Sequence, residues 1–188
     1  MKNSSSRPNI VYIDCHDLGE LLGCYGHPYL ETPHLDAFAA NGAQFTQHIA
    51  TAPICMPSRA SIYSGLMPHS TGVVGQEPLA PDAKCLPERL RSIGYSTVLC
   101  GSLKILNQPR RVGFDQQLKV ADNEKPDAAA QFIKSQHSED MPFFLSISMQ
   151  QCHRPFGDLY DSNVLERISV PPYLPDIPDV RRDLGTLA

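Results

Sequence analysis

Three short apolar runs set the kind of fold available to this chain. Residues 9–14 (NIVYID), a short apolar, β-branched run, read as a buried strand, and 95–100 (YSTVLC) and 142–149 (PFFLSISM) read as two further strands. Segments with helix punctuation separate them. Thr32 offers an N-cap with Pro33 behind it, Leu35, Phe38 and Ala39 give an apolar face, and Asn41-Gly42 closes the turn. Residues 57–66 read as a helix opened by Pro57 and stopped by Gly65, residues 86–93 as one stopped by Gly94, and residues 127–137 as a third. Strands alternating with helices predict an α/β fold, a mainly parallel sheet sandwiched by helices. AQFTQHIA at 43–50 reads as a further short strand. Residues 1–7 are expected to be disordered, the five prolines in 151–180 predict loop, and DVRRDLGTLA begins another helix.

Composition narrows the function classes. The chain has 188 residues, 41% hydrophobic, with a net charge of −4, so it can bury a core and carries no basic surplus for nucleic acid or anionic lipid. No run approaches the roughly 18 apolar residues of a membrane helix. MKNSSSRP lacks the apolar core of an export signal, so the expected location of the chain as given is cytoplasmic. Cysteines stand at 15, 24, 55, 85, 100 and 152 with no CxxC pair, which argues against a zinc finger and a disulfide framework. Small buried hydrophobes are the expectation for most of them.

In open parallel sheets, sites gather beyond the carboxyl ends of the strands. Asp14, His16 and Asp17 follow the first apolar run and Cys152-His153 follows the last, so all should face that edge. A carboxylate there is a natural ligand for a hard cation, with Asp17 first and Asp14 second; the bland alternative is a turn aspartate capping backbone N–H groups. His153 could act as a general acid or contact substrate, or simply hydrogen-bond its loop.

The sharpest local feature is Cys55-Met56-Pro57-Ser58-Arg59. A cysteine just before a Pro-initiated helix sits where the macrodipole and unpaired N–H groups favour an anion, and Arg59 adds a fixed charge one turn later. The competing reading is a buried structural cysteine with a surface arginine. A cysteine phosphatase would need Arg six positions after the cysteine, where this chain has Ser61.

These residues together resemble a known family, the type I sulfatases of the alkaline phosphatase superfamily. RPNIVYI with HDLG resembles its first strand and metal loop, and TPHLDAFAANGAQFTQHIATAPICMPSRASIYSGLMPHSTGV resembles its signature block, CMPSR matching C-x-P-S-R. LPERLRSIGYSTVLCG, VGFD, PFFLSISMQQCHRPF and VPPYLPDIPDVRRDL continue the match, the last two resembling the heparan N-sulfatase-like bacterial branch. The resemblance implies an alkaline-phosphatase-like fold with residues 8–188 forming the N-terminal part of a truncated sulfatase catalytic domain. It implies oxidation of Cys55 by a formylglycine-generating enzyme, attack on sulfur by the hydrated aldehyde, and release of sulfate from an ester or N-sulfate of a sugar. A calcium ion would be held by Asp17, His16 and residue 55, with Arg59 holding the hydrate and His153 on the substrate side. The expected partners are a sulfated small molecule or glycan and the maturation enzyme, with no nucleic acid or membrane.

The chain departs from the family pattern in three ways. His16 replaces the first residue of the usual acidic pair. Gly101-Ser102-Leu103-Lys104 stands where G-K-x-H is usual, leaving Lys104 as the candidate substrate-binding cation. Family members are more than twice as long, so further ligands and strands are expected to be missing and an apolar sheet edge exposed. Two other functions remain open at this point: a non-catalytic paralogue that binds sulfated glycans or a partner, and a phosphodiester or phosphonate hydrolase of the same superfamily.

Overall fold

The computed structural model describes residues 7–28, 30–103, 105, 109–136, 141–155 and 162–187. The strands are β1 (Ile10–Cys15), β2 (Ser96–Cys100), β3 (Gln116–Leu118) and β4 (Phe143–Met149). The helices are α1 (Pro33–Ala40), α2 (Cys55–Ser64), α3 (Pro68–Thr71), α4 (Leu86–Ser92), α5 (Pro109–Val112), α6 (Lys125–Ser135), α7 (Ser162–Arg167) and α8 (Pro178–Leu187). Two compact units form: residues up to His16 with Ile49–Gln151, and Asp17–His48 with Cys152 onward.

The first unit holds the sheet, in the order β1-β4-β2-β3 with every pair parallel. Tyr12 pairs with Ser146 and Asp14 with Ser148, while Val98 stands opposite Leu145. Side chains alternate between the two faces of each strand, and the core divides accordingly. Leu99 and Phe144 pack with Ala60 and Tyr63 of α2 and with Phe114. Val98, Cys100, Leu145 and Ile147 pack on the opposite face with Ala129 of α6. Phe114 stacks on Phe144 at 6.0 Å between centroids, with Tyr63 edge-on to it. Gly113 admits this packing: its φ is +106°, and a Cβ there would lie 2.3 Å from the backbone nitrogen of Glu88 in α4.

Several expectations are corrected. β1 is not buried on both faces: it edges the sheet, with Val11 44% and Ile13 57% exposed. Residues 43–50 form no strand. They alternate apolar and polar residues, but Phe45 and Ile49 stay exposed, and the loop is tied by bonds from Tyr25 to the Phe45 carbonyl and from Gln44 to the Cys24 carbonyl. Helix α2 begins at Cys55, two residues before Pro57, because a first helical turn does not need the N–H that proline lacks. Its end at Gly65 is as expected, with φ at +73°. The segment 151–180 is not all loop, since it contains α7. Of the segment 1–7 only Arg7 is described, so the expected disorder falls almost wholly outside the described residues.

In the second unit, Thr32 precedes α1 as expected but does not cap it through its side chain. Its hydroxyl instead accepts the Gly23 N–H at 2.8 Å and donates to Asp36 at 2.7 Å, while Asp36 also accepts from the Cys24 N–H. One threonine thereby joins the start of α1 to the 23–25 turn. Arg181 of α8 pairs with Asp176 and donates to the Leu165 and Ile168 carbonyls, which ties α8 to the end of α7.

Candidate active site

In the first unit, β1 delivers Asp14 and His16 to the carboxyl edge of the sheet. His16 is buried, and its backbone N–H donates to the Met149 carbonyl at 3.0 Å, extending the β1–β4 ladder by one residue. Asp14 meets Arg59: the guanidinium Nε lies 2.5 Å from the carboxylate, and the two side chains are only 6% and 13% exposed. This pairing, between residues 45 apart, was not anticipated from sequence. It fixes the arginine that follows Cys55 by one helical turn, with residues 55 and 59 on one helix face.

Cys55 is half-buried at the first position of α2. Of the first-turn N–H groups, Ser58 already donates to the Ile54 carbonyl and Pro57 has none, so those of Cys55 and Met56 are the orphan donors of the helix start. Arg59 Nη1, Ser61 Oγ and Ser148 Oγ are buried without a hydrogen-bond partner in the structure. Buried polar atoms are normally satisfied, so the unmet Nη1 of an arginine already held at Nε fits a site built for a polar ligand.

Two tyrosines back this site. Burial, reinforced by Asp14, pushes Tyr12 up to about 12. Burial raises Tyr63 further still, against the opposing effect of its 2.6 Å hydrogen bond with Ser146 Oγ. Both phenols stay protonated in the folded chain well above the ordinary value of about 10. The folded state therefore holds more protons than the unfolded one between about pH 10 and 12, and stability falls as pH rises through that window. Urea midpoints for Tyr63→Phe should show a shallower alkaline decline than the parent. Equal slopes would remove the tyrosine from the cause.

In the second unit, Asp17 and His153 bring a carboxylate oxygen and a ring nitrogen within 4.8 Å of each other. Asp17 holds φ at 51°, a left-handed conformation that aspartate tolerates better than most residues. The His153 Nδ1–H donates to the Arg154 carbonyl, the tautomer that presents Nε2 as an acceptor or ligand in the neutral ring. Cys152 is held as a thiol, its pKa raised by burial and by the nearby Asp17 charge. The expected substrate-binding Lys104 lies outside the described residues.

The family profile described as Sulfatase matches residues 8–171. The chain belongs to the sulfatase family. This sulfatase chain is 28% identical to the ulvan-active sulfatase of Formosa agariphila over 83% of its own length and 37% of the relative's. It is 38% identical to the N-acetylgalactosamine-6-O-sulfatase of Bacteroides thetaiotaomicron over 52% of itself and 20% of that protein. Among solved structures, BT4656 in complex with its substrate D-glucosamine-2-N,6-O-disulfate superposes with a TM-score of 0.72 at 22% identity, over 88% of this chain and 39% of that one. A phosphonate monoester hydrolase of Agrobacterium radiobacter shares the fold at a TM-score of 0.64 and 22% identity, over 80% of this chain and 42% of that one. The sulfatase chain thus spans well under half the length of these relatives. The expected α/β fold with a parallel sheet is borne out. Among the described residues, no helix is long and apolar enough to cross a membrane.

Proposed function

We propose that this chain carries the nucleophile-bearing part of a sulfuric ester hydrolase that cleaves sulfate esters or N-sulfates of sugars. The observation that carries this reading is the start of α2: Cys55 at the first helical position, with Arg59 one turn on, buried and clamped by Asp14 while its Nη1 lacks a partner. An oxyanion bound there would meet two backbone N–H groups and a guanidinium whose reorganisation is already complete. Relatives named for ulvan, N-acetylgalactosamine 6-sulfate and a disulfated glucosamine support a sugar as the sulfate carrier.

Cys55 would be matured to formylglycine, which supplies a hydrated aldehyde as nucleophile. Its half-buried position at a helix start fits that modification, since the maturation enzyme must reach the thiol. Asp17 and His153 fit a divalent cation in kind, one offering an oxygen and the other an imidazole nitrogen. Calcium takes roughly six to eight oxygens, so Asp17 would be one ligand among several, and bound calcium would polarise sulfate oxygens. His153, held as the Nδ1–H tautomer, would present Nε2 toward cation or substrate. Lys104 would bind the sulfated substrate.

The first test is co-expression with a formylglycine-generating enzyme and mass spectrometry of the tryptic peptide ending at Arg59. An aldehyde in place of the thiol is expected. An unmodified Cys55 would favour the other reading, a non-catalytic binder of sulfated glycans, which Ser102 in place of the family lysine also motivates.

A further inference from the structure

A cavity of about 380 Å³ lies at the carboxyl ends of β2, β3 and β4. Ser102, Gln117, Lys119, Asp122, Lys125 and Gln150 supply its polar lining. Lys125 belongs to α6, on the face of the sheet opposite α2, so this cavity and the Cys55 helix flank the same strand ends from different sides. Its volume falls in the range of small-molecule sites, roughly 300–1,000 Å³.

Lys125 is the anomaly that gives the cavity meaning. Its residue is 1% exposed, and it opens α6, where the helix dipole disfavours a cation and burial adds a desolvation cost. The Nζ donates to the Ser148 carbonyl at 2.6 Å and pairs with Asp122. An ammonium has three donors, and these two bonds account for two of them. The lysine stem passes over Gly101, where a Cβ would lie 2.5 Å from Cε and where φ is +95°. Glycine at 101 is therefore what lets a buried cation reach these strand ends.

The rest of the lining is held in place. Gln117 Nε2 donates to the Gly101 carbonyl and Gln150 Nε2 to Ser102 Oγ, each at 2.7 Å. These bonds fix two amide groups whose carbonyl oxygens can accept from hydroxyls. Asp122 offsets Lys125, which leaves Lys119, exposed at the rim, as an uncompensated positive charge in the lining. Fixed amides, a hydroxyl and a surplus cation match a polyhydroxylated ligand that carries an anion.

We infer that this cavity binds a sugar unit bearing an anionic substituent, the anion meeting Lys119 and the remaining Lys125 N–H and the ring hydroxyls meeting Gln117, Gln150 and Asp122. The inference rests on the reading of the chain as acting on sulfated sugars and adds a second place where such a substrate is held.

Nitrogen-15 NMR titration of the 188-residue chain tests it with sodium sulfate, a neutral disaccharide and the same disaccharide sulfated. The sulfated disaccharide should shift the amides of Gly101, Ser102, Gln117, Lys119 and Gln150. Lys119→Ala, at an exposed position, should leave the fold intact and weaken binding about tenfold, roughly 1.4 kcal/mol. Lys125→Met should abolish binding if it folds, and Lys119→Ala keeps the test decisive if it does not. Shifts confined to Cys55–Arg59 overturn the cavity while sparing the sulfatase reading, and no shifts with the sulfated sugar count against both. Equal responses to sodium sulfate and the sulfated sugar overturn the sugar component. Equal responses to neutral and sulfated sugars overturn the anionic one.

Discussion

Asp14→Ala should destabilise the chain by roughly 3–5 kcal/mol, a large share of the 5–15 kcal/mol expected for a domain of this size. Arg59 is 5% exposed and its Nη1 is already unmet, so removing the carboxylate would leave a buried guanidinium with no opposing charge at Nε. The pair itself need not be net stabilising, because desolvating both ions offsets most of their attraction. The double replacement Asp14→Leu with Arg59→Met should therefore recover most of the loss by filling the space with apolar atoms. Urea unfolding of the parent, Asp14→Leu, Arg59→Met and the double variant measures this coupling directly, with Asp14→Ala alongside. A single-variant cost under about 1 kcal/mol would mean that the pair behaves as a solvated surface bridge, and the clamp on Arg59 would lose its physical basis.

That asymmetry suggests why a sulfatase would keep an ion pair in a place where two hydrophobes would fold as well. A guanidinium tethered at Nε can present its other nitrogens to an anion without paying to order its side chain at the moment of binding. The clamp is local, but it fixes the charge one turn away from residue 55, which shares the helix face.

The strands that carry this site were readable in the sequence because each is an apolar run with a distinct length. β3 was not: Gln116-Gln117-Leu118 has no apolar signature and exists because Val98 and Cys100 offer a free ladder beside it. The four-residue helices α3 and α5 escaped for a similar reason, being too short to show a periodicity. Cys55 and Arg59 were legible as candidates because they lie within five consecutive residues at a proline-marked helix start. The Asp14 clamp was not, since only the topology brings β1 beside α2. Lys125 was hidden more thoroughly. Before Pro126 at the start of a helix it looks like an ordinary solvated charge, and only its passage over Gly101 shows that it is buried.

Cys55→Ala, made in a complete enzyme that carries this segment, should reduce turnover of an aryl sulfate by about 10⁴-fold or more relative to the parent matured at residue 55, the scale seen when a covalent nucleophile is removed. Stability should hardly change, because Cys55 is half-buried at the first position of α2 and alanine is well tolerated in a helix. A fall in turnover at constant melting temperature therefore reports chemistry and not folding. KM for the sulfate ester should move far less than kcat, since Arg59 and the helix N–H groups that would bind the ground-state anion remain. Parallel assays on an aryl phosphonate monoester separate the neighbouring activity on the same fold. A parent enzyme that favours phosphonate over sulfate would keep residue 55 as nucleophile but change the substrate. Turnover that survives Cys55→Ala intact would move the chemistry away from the start of α2 altogether.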